Sequence, residues 1–214
     1  MKCLMGKFSS RAEQKAQRPS QILDAAFEEF VEKGYAATRV EDIAKRIDVT
    51  KGTIYVYFPT KEDLFAATVK HISTPFSDVL ALVTAETGTC TERLRRLIET
   101  SYDRLLANRH TRELLRFVIA EGNRFPDVVD LHHREFVMPL KKFAQSILDE
   151  GVASGEFRKS PAAVSEVVLS PLLSAIVGKL IFDDRKPFDR DGHVNAHLDL
   201  VLNGLAAPGK VEKV

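Results

Sequence analysis

The stretch TRVEDIAKRIDVTKGTIYVYFPTK, from Thr38 to Lys61, decides how this chain is read. Thr38 reads as a helix N-cap with Glu41 three residues on, the spacing of a capping box, and a short helix follows through Ile43, Ala44 and Ile47. Thr50 reads as the cap of a second short helix, Lys51 to Tyr57, which Pro59 closes. Thr60 caps again, with Asp63 three residues later, and opens a helix through Leu64, Phe65 and Val69. Between the first two helices, Ile47-Asp48-Val49 is the turn. Ile43, Ala44, Ile47, Val49 and Ile54 supply a small core, in which Ala44 lets the two helices approach closely. The helix over 51–57 is too short and too polar to be there for packing alone.

A short supporting helix, a tight turn and a second helix with a polar N-terminal end are what major-groove reading of DNA requires. Gly52 has no side chain, so the backbone there can approach DNA closely. Thr53 offers a hydroxyl to a base and a methyl to thymine. Free N–H groups at the helix starts near Thr38, Thr50 and Thr60 suit phosphate oxygens.

Working outward, helical periodicity dominates and no strand-like alternation persists. Upstream, Ser20 begins a helix after Pro19, with Ile22, Ala26 and Phe30 on one face and Gly34 as its stop. Downstream, Thr91 leads into Leu94, Ile98, Ser101 and Leu105, and Leu114, Phe117 and Val118 mark the next helix. Pro126 at the first helical position opens another, with Phe136, Leu140, Phe143 and Ile147 as its stripe and Gly155 as its end. Pro161 opens a nearly all-apolar helix to about Phe182, and after a polar loop the last helix carries Val194, Leu198, Val201, Leu202 and Leu205. The expectation is an all-α protein of about nine helices. It divides into a basic, disordered arm over 1–19, a helix-turn-helix domain over 20–73, a larger helical bundle over 74–207 and a tail over 208–214.

With 44% hydrophobic and 29% charged residues the composition is that of a folded globular chain. The net charge of +1 hides an uneven distribution. Lys2, Lys7, Arg11, Lys15 and Arg18 face only Glu13 in the first twenty residues, which fits either phosphate contact or a solvated tail. Cys3 and Cys90 make no disulfide framework and fit a reducing compartment. No apolar run is read as reaching the roughly 18 residues of a membrane span, because Ser170, Pro171 and Ser174 interrupt Val167 to Gly178. The opening Met1 to Gly6 is too short for a secretory signal, so a cytoplasmic protein without a membrane partner is expected. His193 and His197 have the spacing of two metal ligands, but no third is placed. Asp189 to Gly192 fails as a calcium loop, because Pro187 and Leu198 stand where ligands are needed. With no nucleophile elbow, phosphate-binding glycine loop or CxxC, neither an enzyme nor a cofactor is expected.

Between about Ile22 and Leu64 the chain resembles the TetR family of transcriptional regulators, most densely over VTKGTIYVYFPTKEDL, Val49 to Leu64. The resemblance implies base contact from Lys51, Gly52, Thr53 and Tyr55, and phosphate contact from Thr38, Arg39, Thr50, Tyr55, Tyr57 and Lys61. Val56 departs from it, standing where many members carry a polar or aromatic residue. An apolar touch on a sugar or a thymine methyl replaces the phosphate contact there. For the rest of the chain the resemblance implies an effector-binding domain that dimerises through its last two long helices. The protein would then be a repressor that a small molecule releases from double-stranded operator DNA. Tyr102, Phe117, Phe136 and Phe143 are the aromatic candidates for the effector pocket, and Arg124 and His133 the polar ones. Glu121-Gly122-Asn123-Arg124-Phe125-Pro126 also looks like a segment of one branch of these regulators. The penultimate helix is apolar all round and must be covered on all sides. Ser170, Ser174 and Gly178 leave a shallow groove on it for a partner helix.

Overall fold

Ile22, Ala26 and Phe30 recur at helical spacing and are buried, so one face of α1 (Arg11–Ala37) forms a wall of the N-terminal core. The computed structural model describes residues 11–85, 87–182 and 185–207. The start of the expected arm, 1–10, and the whole expected tail lie outside them. α1 begins at Arg11 rather than Ser20 and contains Pro19. Pro19 has no backbone N–H, so α1 lacks one hydrogen bond there. Gly34, at φ 73°, then breaks the helix in a region of backbone space that favours glycine.

α2 (Val40–Arg46), α3 (Lys51–Tyr57) and α4 (Lys61–Ile72) follow. The cap of α2 is Arg39, not Thr38, and it makes no side-chain capping bond. Thr38 is buried instead, donating its hydroxyl to the carbonyls of Glu29 (2.9 Å) and Gly34 (2.8 Å). The turn between α2 and α3 is closed by Val49 N–H to the Ala44 carbonyl, 2.9 Å. Asp48 carries it at φ 52°, a left-handed conformation that a short polar side chain tolerates. Ile43, Ala44, Ile54, Leu64 and Phe65 are buried beneath. Phe65 meets the edges of Phe30 and Tyr35 at centroid distances of 5.1 and 5.0 Å. The buried Glu29 ties α1 to α2, receiving Lys33 at 2.6 Å and Arg46 at 2.8 Å. The Lys33 hydrogen bond above all, with Arg46 beside it, holds the Glu29 carboxyl below its ordinary range.

The chain divides into two compact units, Met1–His71 and Ile72–Val214, two residues before the expected boundary. In the second, α5 (Thr74–Thr84) is followed by α6 (Cys90–Ser101), which runs on as a π-helical turn, Tyr102–Leu106. Next come α7 (Arg109–Glu121) and α8 (Pro126–His132). A second π turn, His133–Val137, joins α8 to α9 (Met138–Ala153). α10 (Ser165–Phe182) and α11 (Arg190–Leu205) complete the unit. The protein is all-α with the expected order of helices. α6 is capped by a Thr89–Glu92 box, two residues before Thr91. α10 begins at Ser165, because the residues after Pro161 close separate short turns, such as Val164 N–H to the Ala162 carbonyl. The core joins Leu94 and Ile98 of α6 to Ala144 and Ile147 of α9, Val168 and Leu172 of α10, and Leu198 and Leu202 of α11.

α10 corrects one expectation. Its 18 residues are long and apolar enough, by length and composition, to cross a membrane. Ser170, Pro171 and Ser174 do not interrupt the helix, since a serine returns its hydroxyl to the backbone, as Ser170 does to the Glu166 carbonyl. Val168, Leu172, Ala175 and Ile176 are buried against the core, while Val167, Leu173 and Ile181 are each more than half exposed.

Candidate functional site

Two places in the molecule collect functional groups, one in each unit. The first is α3. Thr50 stands just before it and its hydroxyl oxygen accepts the Thr53 N–H at 3.1 Å, which starts the helix. The same oxygen lies 2.9 Å from the Thr53 hydroxyl, so these two side chains orient each other. Ile54 alone of the helix is buried. Lys51, Gly52, Tyr55 and Val56 are exposed, and Val56 is the most open large apolar residue among those described, at 80%. A Cβ on Gly52 would meet nothing nearer than the Thr50 hydroxyl at 3.6 Å, so the protein itself does not require glycine here.

The cations around α3 are held by the protein. Lys51 Nζ pairs with Glu41 Oε1 at 2.6 Å and lies 5.4 Å from the Tyr55 ring centroid. The Lys51 hydrogen bond keeps the Glu41 carboxyl below its usual range, and the same contact raises the lysine. Lys61 Nζ donates to the Tyr35 carbonyl at 2.5 Å and sits 4.3 Å over the Tyr35 ring. The Tyr35 hydroxyl donates in turn to Glu62 at 2.7 Å. Lys61 thus fastens the start of α4 to the end of α1, a role its position in the sequence did not reveal. Arg39 is exposed and Tyr57 half-buried, whereas the Thr38 hydroxyl is turned inward and cannot reach a phosphate. Thr60 caps α4, accepting the Asp63 N–H at 3.0 Å.

The second place is a cavity of about 430 Å³ inside the C-terminal unit. Its walls come from α5 (Phe76), α7 (Leu114, Val118), α8 (Val129, His132), α9 (Leu140) and α10 (Leu169, Ile176), and both π turns border it through Leu105, His133 and Val137. His132 is buried, and its Nδ1 lies 2.8 Å from the Ser73 hydroxyl. Burial above all, with His133 beside it, pushes its pKa down from 6.5 to about 4, so the ring is neutral near neutral pH.

Of the six residues expected to line an effector pocket, only His133 borders this cavity. Tyr102 is core instead: its hydroxyl pairs with His197 Nδ1 at 3.1 Å, and burial raises its pKa to about 12. Phe117 pairs with Phe125 at 6.3 Å, and Arg124 is exposed over the same Phe125 ring. Phe136 stacks on His132, whose ring also meets Phe76 edge-on. Phe143 packs on the main core. Both nitrogens of His197 have protein partners, Nε2 lying 2.8 Å from the Val168 carbonyl. Thr111, Lys141 and Glu166, which do line the cavity, carry no periodic signal of their own.

Residues 22–68 match the family described as bacterial regulatory proteins, tetR family, and residues 84–194 match a tetracyclin repressor-like C-terminal domain. The fatty acid metabolism regulator protein of Bacillus subtilis is 26% identical over 195 residues, covering 90% of this chain and 97% of that protein. A TetR-family regulator structure from Mesorhizobium loti has a TM-score of 0.73 over 93% of this chain and all of that one, at 20% identity, a likeness of fold. The structure of the transcriptional regulator FadR from Bacillus subtilis in complex with stearoyl-CoA is 25% identical, with a TM-score of 0.65 over 87% of this chain and 98% of that one. With both of its units matched, the chain belongs to the TetR family of bacterial transcriptional regulators.

Proposed function

We propose that this regulator is a dimeric repressor that holds a palindromic operator through one α3 from each copy and releases it when an apolar small molecule fills the C-terminal cavity. The observation that carries the reading is the coexistence, in one chain, of an exposed polar reading helix and a cavity walled mainly by apolar side chains with few polar groups. On the DNA side, Lys51, Gly52, Thr53 and Tyr55 address bases, with Val56 against a thymine methyl or sugar. Arg39, Thr50, Tyr57 and Lys61 address phosphates, Lys61 after exchanging the Tyr35 carbonyl for an anion. The fatty acid regulator and the stearoyl-CoA complex among its relatives favour an acyl compound as effector. The dimer forms over the outer face of α10 and α11, where Val167, Leu173, Ile181 and Leu200 are exposed and a Cβ on Gly178 would meet nothing within 4 Å. The protein works by binding alone, in the cytoplasm beside its operator.

Selection of bound fragments from genomic DNA, with sedimentation of the purified protein, tests this reading. A dimer is expected on a site with twofold symmetry and half-site centres about 34–36 Å or a multiple apart. A monomer, or recovered fragments without symmetry, contradicts it.

A further inference from the structure

A hydroxyl has one proton to donate and two lone pairs with which to accept. On other helices of this protein that proton goes to a backbone carbonyl four residues back, as from Thr68 to Leu64 at 2.7 Å and from Ser101 to Leu97 at 2.6 Å. The two hydroxyls at the start of α3 are paired with each other instead. Thr50 and Thr53 lie 2.9 Å apart, and the bond between them can run in either direction. One lone pair of the Thr50 oxygen is already taken by the Thr53 N–H, at 3.1 Å. That leaves Thr50 one lone pair and one proton.

In the free protein either direction satisfies the pair. A phosphate at Thr50 removes the choice, because a backbone phosphate has no proton to give and only accepts. The Thr50 proton then goes to the phosphate. The remaining lone pair of Thr50 is left to receive the Thr53 O–H. With its proton spent on Thr50, Thr53 turns only lone pairs toward the groove. In the major groove lone pairs match an exocyclic amino group, N6 of adenine or N4 of cytosine. The N7 atoms of purines, O6 of guanine and O4 of thymine are themselves acceptors and gain nothing from such an oxygen.

Resting on the reading of α3 as the helix that enters the major groove with Thr50 at a phosphate, we infer that Thr53 reads an exocyclic amino group as a hydrogen-bond acceptor and that Thr50 sets this polarity. Thr50 is then a positioning residue. It touches no base, yet it decides which base edge Thr53 takes.

The test uses the full-length protein and an operator recovered by selection, at the position whose preference changes in Thr53→Val. Base analogues remove one group at a time there. Purine for adenine, or pyrimidin-2-one for cytosine, takes away the amino group, and a 7-deazapurine takes N7 from the same base pair. Each loss is read as the ratio of parent to Thr53→Val affinity, which cancels the change in base pairing. Loss of the amino group is expected to weaken the parent about five- to tenfold more than Thr53→Val, the value of one neutral hydrogen bond. Loss of N7 should weaken both alike. Thr50→Ser keeps the hydroxyl and should retain the amino dependence, whereas Thr50→Val frees the Thr53 proton for an acceptor and should shrink it. Should Thr50→Val not fold, the two analogues alone decide. A parent that loses affinity with N7 and not with the amino group, or an amino dependence that Thr50→Val leaves whole, overturns the inference and leaves α3 as the reading helix. A selection in which no position depends on Thr53 overturns the inference together with the reading of Thr53 as a base contact.

Discussion

The hydroxyl of Ser73 and Nδ1 of His132 lie 2.8 Å apart, both residues buried. Ser73 is the residue immediately after α4, and His132 is part of the cavity wall. The imidazole is held in place by Phe76, edge-on at 5.3 Å, and by Phe136, stacked at 5.8 Å. In the proposed function, a ligand that presses on this wall presses on the residue that follows α4.

Ser73→Ala is therefore expected to uncouple the protein. Operator affinity without ligand and methyl decanoate affinity without DNA should both remain near the parent's. The factor by which ligand lowers operator affinity, typically about 5- to 150-fold in such systems, should shrink toward one. Anisotropy of a labelled operator with and without methyl decanoate reads it. An undiminished factor assigns the coupling elsewhere.

His132 also predicts an acid-sensitive fold. Its pKa falls from 6.5 to about 4 on folding, so between those values the unfolded chain binds the proton and the folded one does not. Stability is full above about pH 6.5 and is lost as pH falls toward 4, to a total of about 3 kcal/mol. His197, lowered chiefly by burial, acts in the same direction. Glu29, lowered by its cationic partners, extends the loss as pH drops below its unfolded value of 4.5. The melting temperature of the parent should fall between neutral pH and about pH 5, and fall less in His132→Gln. A parent curve flat over that interval contradicts the burial of a neutral ring.

In the proposed operator complex Glu41 competes with DNA for Lys51. The pair is 2.6 Å long and both side chains are about half exposed, so solvent screens it and breaking it costs little. Glu41→Gln is expected to tighten operator binding several-fold at low salt and less at high salt. Unchanged or weaker binding would mean that Lys51 does not leave Glu41 for the operator.

Thr53 and Lys61 are separable by kind of contact. Thr53→Ala should alter preference at one base position by about 1–3 kcal/mol. Lys61→Ala should weaken all sequences alike, reduce the salt slope by about one, and lower the melting temperature through loss of its contact with Tyr35. A changed base preference with an unchanged salt slope in Lys61→Ala reverses the assignment.

The reading helix was legible because its signals are local. Thr50, Asp48 and Thr60 act on residues within a few positions of themselves, and their types announce caps and turns. Thr38 misled for the same reason. It sits where an N-cap would, but its partners are carbonyls four and nine residues back, exposed to it by the break at Gly34. The cavity was illegible because five helices build it, and aromatic spacing cannot tell a wall from a core. Tyr102 found His197, ninety-five residues away, rather than open space. α10, apolar on every side, had no periodicity from which to divide its core face from its exposed one.

The central claim is that operator DNA and an apolar ligand in the cavity bind antagonistically, and reciprocal titration tests it most directly. Methyl decanoate is titrated into the free protein and into its complex with an operator fragment recovered by selection. The account predicts that DNA weakens ligand binding by the same factor by which ligand weakens DNA binding. Equal ligand affinities in the two titrations would contradict it.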